Sequence, residues 1–257
     1  MPVTYAVEGH TAIITIDRPE ALNALDLEMW PQFGAVTARF ASDNHAWVGI
    51  ITGAGPRAFC AGADVKTSLR AMMDDPRSGK FTHPETIMRG QVVDKPLIAA
   101  VNGLALGGGL EVALACDIRI ASKTARFGAP EVSLGAIPGW GATQRLPRHV
   151  PWAVAAKMIL GGEMISAEEA LACGLVTKLT EPADLMTEAR QIAEQLCTRG
   201  PLALVAAKRA MIAAMNLPLN EGLKAELDLF ESLAYTRDVH EGIDAFEQKR
   251  PPVFRGE

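Results

Sequence analysis

The sequence has few cysteine and histidine residues, and none has the spacing that a metal or disulfide site requires. The four cysteines, Cys60, Cys116, Cys173 and Cys197, contain no C-x-x-C pair, and the five histidines contain no pair at metal-ligand spacing. Isolated cysteines in a chain of this length are typical of reduced thiols rather than of a disulfide framework. We therefore expect no metal, and we expect a cytoplasmic protein.

Long apolar runs and an excess of basic residues are also absent. Gly, Pro or charged residues interrupt each apolar run well short of a membrane span, and the first five residues resemble neither a signal peptide nor a transit peptide. The formal net charge of -5 disfavours nucleic acid as the main partner. A chain of 257 residues with 49% hydrophobic residues can bury a large core. We expect a globular protein that binds neither membranes nor nucleic acid.

The nucleotide-binding glycine motifs are missing, although residues 107–109 are three consecutive glycines. They form neither G-x-G-x-x-G nor a Walker loop. They follow the wholly apolar run Leu97–Val101, which is typical of a strand buried on both faces, and they precede the helix formers Leu110–Ala115. A helix beginning there would present free N–H groups, with Glu111 in its first turn. The sequence therefore predicts N–H donors and a carboxylate at one place.

Two interpretations of this glycine cluster remain open. Glycines at strand-to-helix turns often serve only to pack the helix on the sheet, and a first-turn glutamate often only complements the helix dipole. In the functional interpretation, the helix start favours the ionised form of Glu111, which suits a base that activates water.

A second carboxylate, Glu131, lies in an apolar part of the sequence, between Phe127 and Ile137. Desolvation there would favour the protonated carboxyl, which suits an acid. Two carboxyl groups whose pKa values are pushed apart are typical of acid–base pairs. Taken alone, Glu131 fits a solvated turn glutamate better.

The rest of the pattern predicts strand–helix units over the first 145 residues and helices beyond them. Residues 2–8 and 11–17 predict a hairpin, and Leu175–Leu179 predicts an isolated strand. The polar stretch Asp74–Pro84 predicts a surface loop.

Capping residues indicate where several of the helices begin. Asp26 is a candidate N-cap, and Pro31 predicts that this helix starts late or is kinked. Ser166 and Asp238 each begin the pattern of a capping box.

Five segments of the sequence form a recognisable set. They are RPEALNAL at 18–25, AFCAGADVK at 58–66, KPLIAAVNGLALGGGLEVALACD at 95–117, FGAPEVSLGAIPGWGATQRL at 127–146 and EGIDAFEQKRPPVF at 241–254. In this order and spacing they resemble the crotonase (enoyl-CoA hydratase/isomerase) family over essentially the whole chain. The resemblance implies an α/β crotonase-type fold, which is a spiral of ββα units with a C-terminal helical region.

The resemblance also implies a catalytic apparatus. The backbone N–H groups of Ala63 and Gly108 would form an oxyanion hole for the thioester carbonyl of an acyl-CoA, where negative charge develops during the reaction. Glu111 would activate water for attack on the β-carbon, and Glu131 would deliver a proton to the α-carbon. Family members that only isomerise double bonds tend to lack the first glutamate. The implied activity is therefore that of an enoyl-CoA hydratase acting on a trans-2-enoyl-CoA.

The matched positions further imply how the substrate is bound, with CoA present only as part of the substrate and no cofactor. The substrate-binding set is Ala24, Ala61, Asp64, Val65, Lys66, Gly107, Pro130, Gly139, Trp140 and Lys249. Within it, Asp64 is equally well interpreted as an N-cap, and Lys66 and Lys249 as solvated surface lysines. Ala129 and Trp140 stand where a glutamine and a small residue are frequent, which would reshape the acyl pocket.

The resemblance implies a homotrimer or a dimer of trimers. Residues 1–194 would form the catalytic core and residues 195–257 the C-terminal helical oligomerisation region. Other crotonase-type reactions remain open, namely isomerisation, specialised dehydration and thioester hydrolysis. A non-catalytic, RNA-binding or scaffold member of the same fold is a further alternative from a different class.

Overall fold

The computed structural model describes residues 2–74 and 84–257, so nearly all of the loop predicted over 74–84 lies outside the described residues. The strands are β1 (Val3–Glu8), β2 (Thr11–Ile16), β3 (Val48–Gly53), β4 (Ala58–Cys60), β5 (Leu97–Val101), β6 (Leu104–Leu106), β7 (Ile118–Ser122), β8 (Arg126–Gly128), β9 (Met164–Ser166) and β10 (Lys178–Thr180). The helices are α1 (Met29–Ser42), α2 (Arg70–Asp74), α3 (Gly108–Ala115), α4 (Ala142–His149), α5 (Trp152–Leu160), α6 (Ala167–Ala172), α7 (Leu185–Cys197), α8 (Pro201–Ala214), α9 (Leu219–Leu233) and α10 (Arg237–Glu247).

The strands form two sheets, and the chain passes repeatedly from the larger sheet to the smaller one. The larger sheet has the order β1-β2-β3-β5-β7-β10, and the smaller has the order β4-β6-β8-β9. Strands β3, β5 and β7 each lie in the larger sheet, and the strand that follows each of them lies in the smaller sheet. Parallel pairing holds in both sheets except at β1–β2 and β8–β9. This repeated pair of strands, followed by a helix, confirms the predicted ββα architecture.

The central strands are buried on both faces, as their apolar runs predict. Ile51, Ala99 and Val101 belong to the larger apolar cluster, whereas Ile50 and Ile98 belong to a second cluster. Neighbouring residues on one strand therefore contribute to opposite faces of the sheet. Helix α7 packs over β2, β3, β5 and β7 and covers the second cluster.

Helix α1 begins late, as Pro31 indicates. The Asp26 carboxylate accepts hydrogen bonds from the backbone N–H groups of Glu28 and Met29 at 3.0 and 2.9 Å. Pro31 lies in the first turn, where its missing N–H removes no hydrogen bond of the helix. Trp30, next to it, is fully buried and points the start of α1 into the core.

Two local predictions differ from the structure. The strand expected over Leu175–Leu179 is shorter and later, because Leu175 and Val176 are buried in the core between α6 and β10 (Lys178–Thr180). The capping box expected at Asp238 is wrong. Thr236 accepts the capping hydrogen bond from the backbone N–H of Val239, while the Asp238 carboxylate accepts from the N–H groups of residues 255 and 256.

The C-terminal helices are attached to the sheet by charged contacts. Lys208 on α8 donates to the Lys95 carbonyl at 2.9 Å and to the Asp117 carboxylate at 2.8 Å, and Arg209 pairs with Asp94 at 2.6 Å. Helix α9 packs on α8 and has no buried residue. Within the described ranges, no helix combines the length and the apolar character that crossing a bilayer requires.

Candidate active site

The turn after β4, from Ala61 to Asp64, forms the first half of the site. The Leu25 N–H donates to the Gly62 carbonyl at 2.8 Å, and the Asp64 N–H donates to the Leu25 carbonyl at 2.9 Å. These two bonds hold the turn against Leu25. The Ala63 N–H lies between them and has no hydrogen-bond partner among the described residues.

The turn between β6 and α3 forms the second half. Gly107 has φ +52° and ψ −122°, a conformation that L side chains rarely adopt. Gly108 is the first residue of α3, so its N–H has no partner within the helix. A Cβ placed on Gly108 would lie 3.4 Å from the Gly62 Cα and 3.6 Å from the Ala63 nitrogen. The structure therefore brings the N–H groups of Ala63 and Gly108 together.

Both interpretations of the glycine cluster apply, but at different residues. A Cβ on Gly109 would overlap the Cys60 carbonyl, so this glycine is required for the close packing of α3 on β4. Gly107 instead borders the Glu131 carboxyl, and Gly108 borders the turn at Gly62. One glycine is thus a packing residue, and the other two line the site.

Glu111 is almost completely buried, at 1% exposure, in the first turn of α3. Its Oε1 accepts hydrogen bonds from the backbone N–H groups of Trp140 at 2.7 Å and Ala142 at 3.0 Å. Burial raises the pKa of Glu111, and these backbone donors and the charge of Arg145 oppose that rise. The helix start favours the ionised form of Glu111, whereas burial disfavours it and makes the carboxylate a stronger base.

Arg145 fixes the loop that supplies these two donors. Its Nη1 donates to the Trp140 carbonyl at 3.0 Å, and its Nη2 donates to the Met88 carbonyl at 2.8 Å. Burial lowers the pKa of Arg145, and the nearby Glu111 opposes this change. Sequence reasoning missed this residue. The available signal was a lone arginine in a segment that is otherwise small, apolar or uncharged.

Glu131 lies in a short 3₁₀ turn, Pro130–Leu134, with its carboxyl beside Gly107. A Cβ on Gly107 would lie only 2.8 Å from Glu131 Oε1. The other oxygen, Oε2, is buried without a hydrogen-bond partner among the described residues. Burial, and to a smaller extent the negative charge of Glu111, raises the pKa of Glu131 to about 7.

The direction of this shift and its main cause, desolvation, agree with the prediction. Of the apolar neighbours that the sequence suggests, Phe127 is buried, whereas Leu134 and Ile137 are exposed. The Gly107 turn, which is distant in sequence, also borders the Glu131 carboxyl. The negative charge of Glu111 raises the pKa of Glu131 further.

Two tryptophans lie next to these groups. Trp140 is 9% exposed and stacks on the fully buried Trp30, with ring centroids 4.7 Å apart and an interplanar angle of 18°. The Trp30 Cη2 atom lies 3.6 Å from the position of a Cβ on Gly108. Trp140 was singled out by the sequence. Trp30 was missed, because nothing in the sequence shows that α1 reaches the glycine turn.

The residues proposed for CoA form a neighbouring group. Asp64 caps the helical turn Val65–Leu69 by accepting from the N–H groups of Lys66 and Thr67, which confirms its N-cap interpretation. Arg18 Nη1 donates hydrogen bonds to Asp64 Oδ2 at 2.9 Å and to the Ala24 carbonyl at 3.3 Å. Arg18 therefore links these two segments.

The remaining candidates are spread more widely. Lys66 and Gly139 are exposed, and Pro130 is half-buried in the turn that carries Glu131. Lys249 is also exposed, just after α10, with φ +54°. No described hydrogen bond or ion pair joins its side chain to the site turns.

The described residues contain no cluster of three or more His, Cys, Asp or Glu side chains that could hold a metal ion. The absence of a metal stays a prediction.

Comparison with known proteins agrees with this geometry. The family model described as enoyl-CoA hydratase/isomerase matches residues 7–257. The chain is 44% identical to an (E)-benzylidenesuccinyl-CoA hydratase of Thauera aromatica, over all of both chains. It is 40% identical to a short-chain-enoyl-CoA hydratase of Clostridium acetobutylicum, over 95% of this chain and 93% of that one. A crystal structure of an enoyl-CoA hydratase from Bacillus anthracis superposes with a TM-score of 0.91 at 35% identity, with full coverage of both chains.

Proposed function

The chain belongs to the enoyl-CoA hydratase/isomerase family, and we propose that it reversibly adds water across the 2,3 double bond of a trans-2-enoyl-CoA. One observation carries this proposal. The carboxyl group of the buried Glu111 and that of the half-buried Glu131, whose Oε2 is buried, lie beside a pair of backbone N–H groups that have no other partner among the described residues. A base, an acid and an oxyanion hole are the three groups that the reaction needs.

In the hydration direction, Glu111 accepts a proton from water as the water oxygen bonds to carbon 3. The electrons of the double bond move to the thioester oxygen, where the N–H groups of Ala63 and Gly108 stabilise the enolate. Glu131 then gives its proton to carbon 2, and the thioester carbonyl re-forms. A proton passes from Glu111 to Glu131 to complete the cycle, so one water is added in total.

The carboxyl environments support these roles. The two backbone donors to Glu111 Oε1 hold the carboxylate in one orientation while burial strengthens it as a base. The unpartnered Oε2 of Glu131 and the raised pKa of this group fit a carboxylic acid that donates its proton to carbon.

The test is the loss of enoyl-thioester absorbance when purified protein is mixed with crotonyl-CoA. We expect 3-hydroxybutyryl-CoA as the product, heavier than the substrate by one water in mass spectrometry. Glu111→Gln and Glu131→Gln should each lower kcat by about 10²–10⁴-fold, whereas Glu247→Gln, at an exposed position outside the site, should retain activity.

Other outcomes would contradict the proposal. An isomer or a free acid as the product, with no hydrated species, would indicate a different crotonase-type reaction. Turnover like that of the wild type in a folded Glu111→Gln or Glu131→Gln variant would refute the role of that glutamate.

We propose that the CoA part of the substrate lies along the turns at Ala24 and at 61–66, mainly through backbone contacts, with no separate cofactor. The acyl part would lie against Gly107, Pro130, Gly139 and Trp140. Lys66 is proposed to meet a CoA phosphate within its own subunit. Lys249, which lies elsewhere on the chain, is proposed to do so from a neighbouring copy.

We also propose a cytoplasmic homotrimer or dimer of trimers, assembled through residues 195–257. Leu219, Leu223, Leu227 and Phe230 form an exposed apolar row along α9. An apolar row of this length on a single helix is typical of an interface.

A further inference from the structure

We propose that Trp140 and Trp30 form an aromatic wall that selects enoyl-CoA substrates carrying an aryl group on carbon 3, the cinnamoyl class, over those with an alkyl chain. This inference rests on the proposed hydratase function and names its substrate class. The term "aromatic wall" refers to these two indole rings.

The position of Trp140 follows from its bond to the base. Its backbone N–H donates to Glu111 Oε1 at 2.7 Å, and Glu111 activates the water that attacks carbon 3. The substituent on carbon 3 would therefore begin near the backbone of Trp140, the residue that carries the indole. The indole retains 9% exposure while its stacked partner has none, so Trp140 is the ring of the pair that a ligand reaches.

Trp30 forms the buried side of the aromatic wall, next to the proposed oxyanion hole. Its Cη2 lies 3.6 Å from the position of a Cβ on Gly108, the residue proposed to supply one oxyanion-hole N–H. Because Trp30 has no exposed surface, it acts by fixing the ring of Trp140, and Trp140 is the indole that the substrate would contact. A β-aryl enoyl thioester is flat through its conjugated system, so its aryl group can lie against a flat indole.

The aromatic wall is also held rigidly. Trp30 is fully buried near the start of α1, and Arg145 holds the Trp140 carbonyl at 3.0 Å. A fixed aromatic surface favours a rigid aryl group, because stacked and edge-to-face ring pairs are stabilised beyond their area burial. An alkyl chain of similar size gains no such contact and loses rotamer freedom on binding.

The test measures the dissociation constants of two unreactive saturated thioesters by calorimetry, so that differences in intrinsic reactivity do not enter. We expect 3-phenylpropionyl-CoA to bind about tenfold more tightly than hexanoyl-CoA, the size of one aromatic pair contribution. In Trp140→Leu this preference should disappear, and in Trp140→Phe and Trp30→Phe part of it should remain.

Trp47→Leu is the matched control. Trp47 is also 9% exposed and also stacks on a ring, that of His10 at 3.7 Å, but it belongs to the second apolar cluster. This variant should lose similar packing and retain the aryl preference. A general loss of CoA binding would change the dissociation constants of both thioesters by the same factor, so it cancels in their ratio.

The inference fails if the wild type binds the two thioesters equally or prefers hexanoyl-CoA, or if folded Trp140→Leu keeps the preference. The wild-type measurement decides the matter even if Trp140→Leu does not fold. Hydration of crotonyl-CoA without any aryl preference would overturn this inference and leave the proposed function intact. Aryl preference without hydration of either crotonyl-CoA or cinnamoyl-CoA would overturn the proposed function instead.

Discussion

Two glutamates in different regions of the molecule have opposite electrostatic environments. Glu131, in the site, has a buried carboxyl oxygen without a partner, and burial raises its pKa to about 7. Glu241, on α10, accepts from Arg250 and from the Val253 N–H, and these bonds lower its pKa to about 2. Glu241 is thus satisfied by partners within the same chain, whereas one carboxyl oxygen of Glu131 is left unsatisfied among the described residues.

The apolar residues show the reverse difference. The site turns and their tryptophans are buried within one chain, whereas α9 exposes its apolar side chains. The Glu131 carboxyl lacks a polar partner, and the apolar row on α9 lacks an apolar partner, among the described residues. In the proposed reaction the substrate would meet that carboxyl, and in the proposed assembly a second copy of the chain would cover that row.

The largest expected effect concerns Gly107. In Gly107→Ala the new Cβ would lie 2.8 Å from Glu131 Oε1, on a backbone with φ +52°. We expect kcat with crotonyl-CoA to fall about a hundredfold or more, because small displacements of a catalytic group have effects of this size. Steady-state kinetics and circular dichroism would measure activity and folding together.

Gly9→Ala is the control for backbone strain. Gly9 has φ +57°, but a Cβ there would meet nothing within 4 Å. This variant should lower the free energy of unfolding by about 1–2 kcal/mol and leave kcat unchanged. Similar kinetic losses in both variants would show that strain, and not contact with Glu131, explains the effect at Gly107.

The sequence predicted the repeated architecture and both carboxyl groups because these depend on local pattern. Leu97–Val101 is apolar at each position since both faces are covered, and a helix that starts within the three glycines places Glu111 in its first turn. Asp238 was misinterpreted because its real partners, the N–H groups of residues 255 and 256, arrive from the chain end.

The sequence could not show which side chains converge on the site from distant elements. Trp30 and Trp140 are 110 positions apart and meet only in the fold. Arg145 donates to two backbone carbonyls. Because any residue can supply a carbonyl, the sequence does not reveal these contacts. Glu131 also borders the Gly107 turn, a contact that the local sequence around Glu131 does not reveal.

The second-largest expected effect is on the oligomeric state and concerns the exposed face of α9. Phe230 is 72% exposed, and Phe230→Asp should dissociate the assembly, because burying a phenylalanine stabilises an interface by about 1.5–3 kcal/mol at each copy. Size-exclusion chromatography with light scattering would measure the mass. Lys224→Glu, at an exposed polar position of the same helix, should leave it unchanged. A monomeric wild type would refute the proposed trimer or hexamer.

The smallest expected effect is on pH dependence, and it tests the two glutamates directly. Because Glu131 must carry a proton, kcat/KM for hydration should fall as the pH rises through about 7. The raised pKa also means that the folded chain binds a proton that the unfolded chain releases above about 4.5. The free energy of unfolding should therefore decrease between pH 4.5 and 7, and this slope should be smaller in Glu131→Gln, where only Glu111, whose pKa is also raised, still contributes at the site.

The pKa of Glu241 is shifted in the opposite direction, so this residue provides a control for the same test. Its pKa is lowered to about 2, so its stabilising contribution is complete above about pH 4.5 and is lost only as the pH falls toward 2. Glu241→Gln should therefore leave both the activity profile and the unfolding slope between pH 5 and 8 unchanged. If urea titrations at several pH values gave the same slope for wild type and Glu131→Gln, the Glu131 carboxyl would be ionised in the folded protein. It could not then act as the acid.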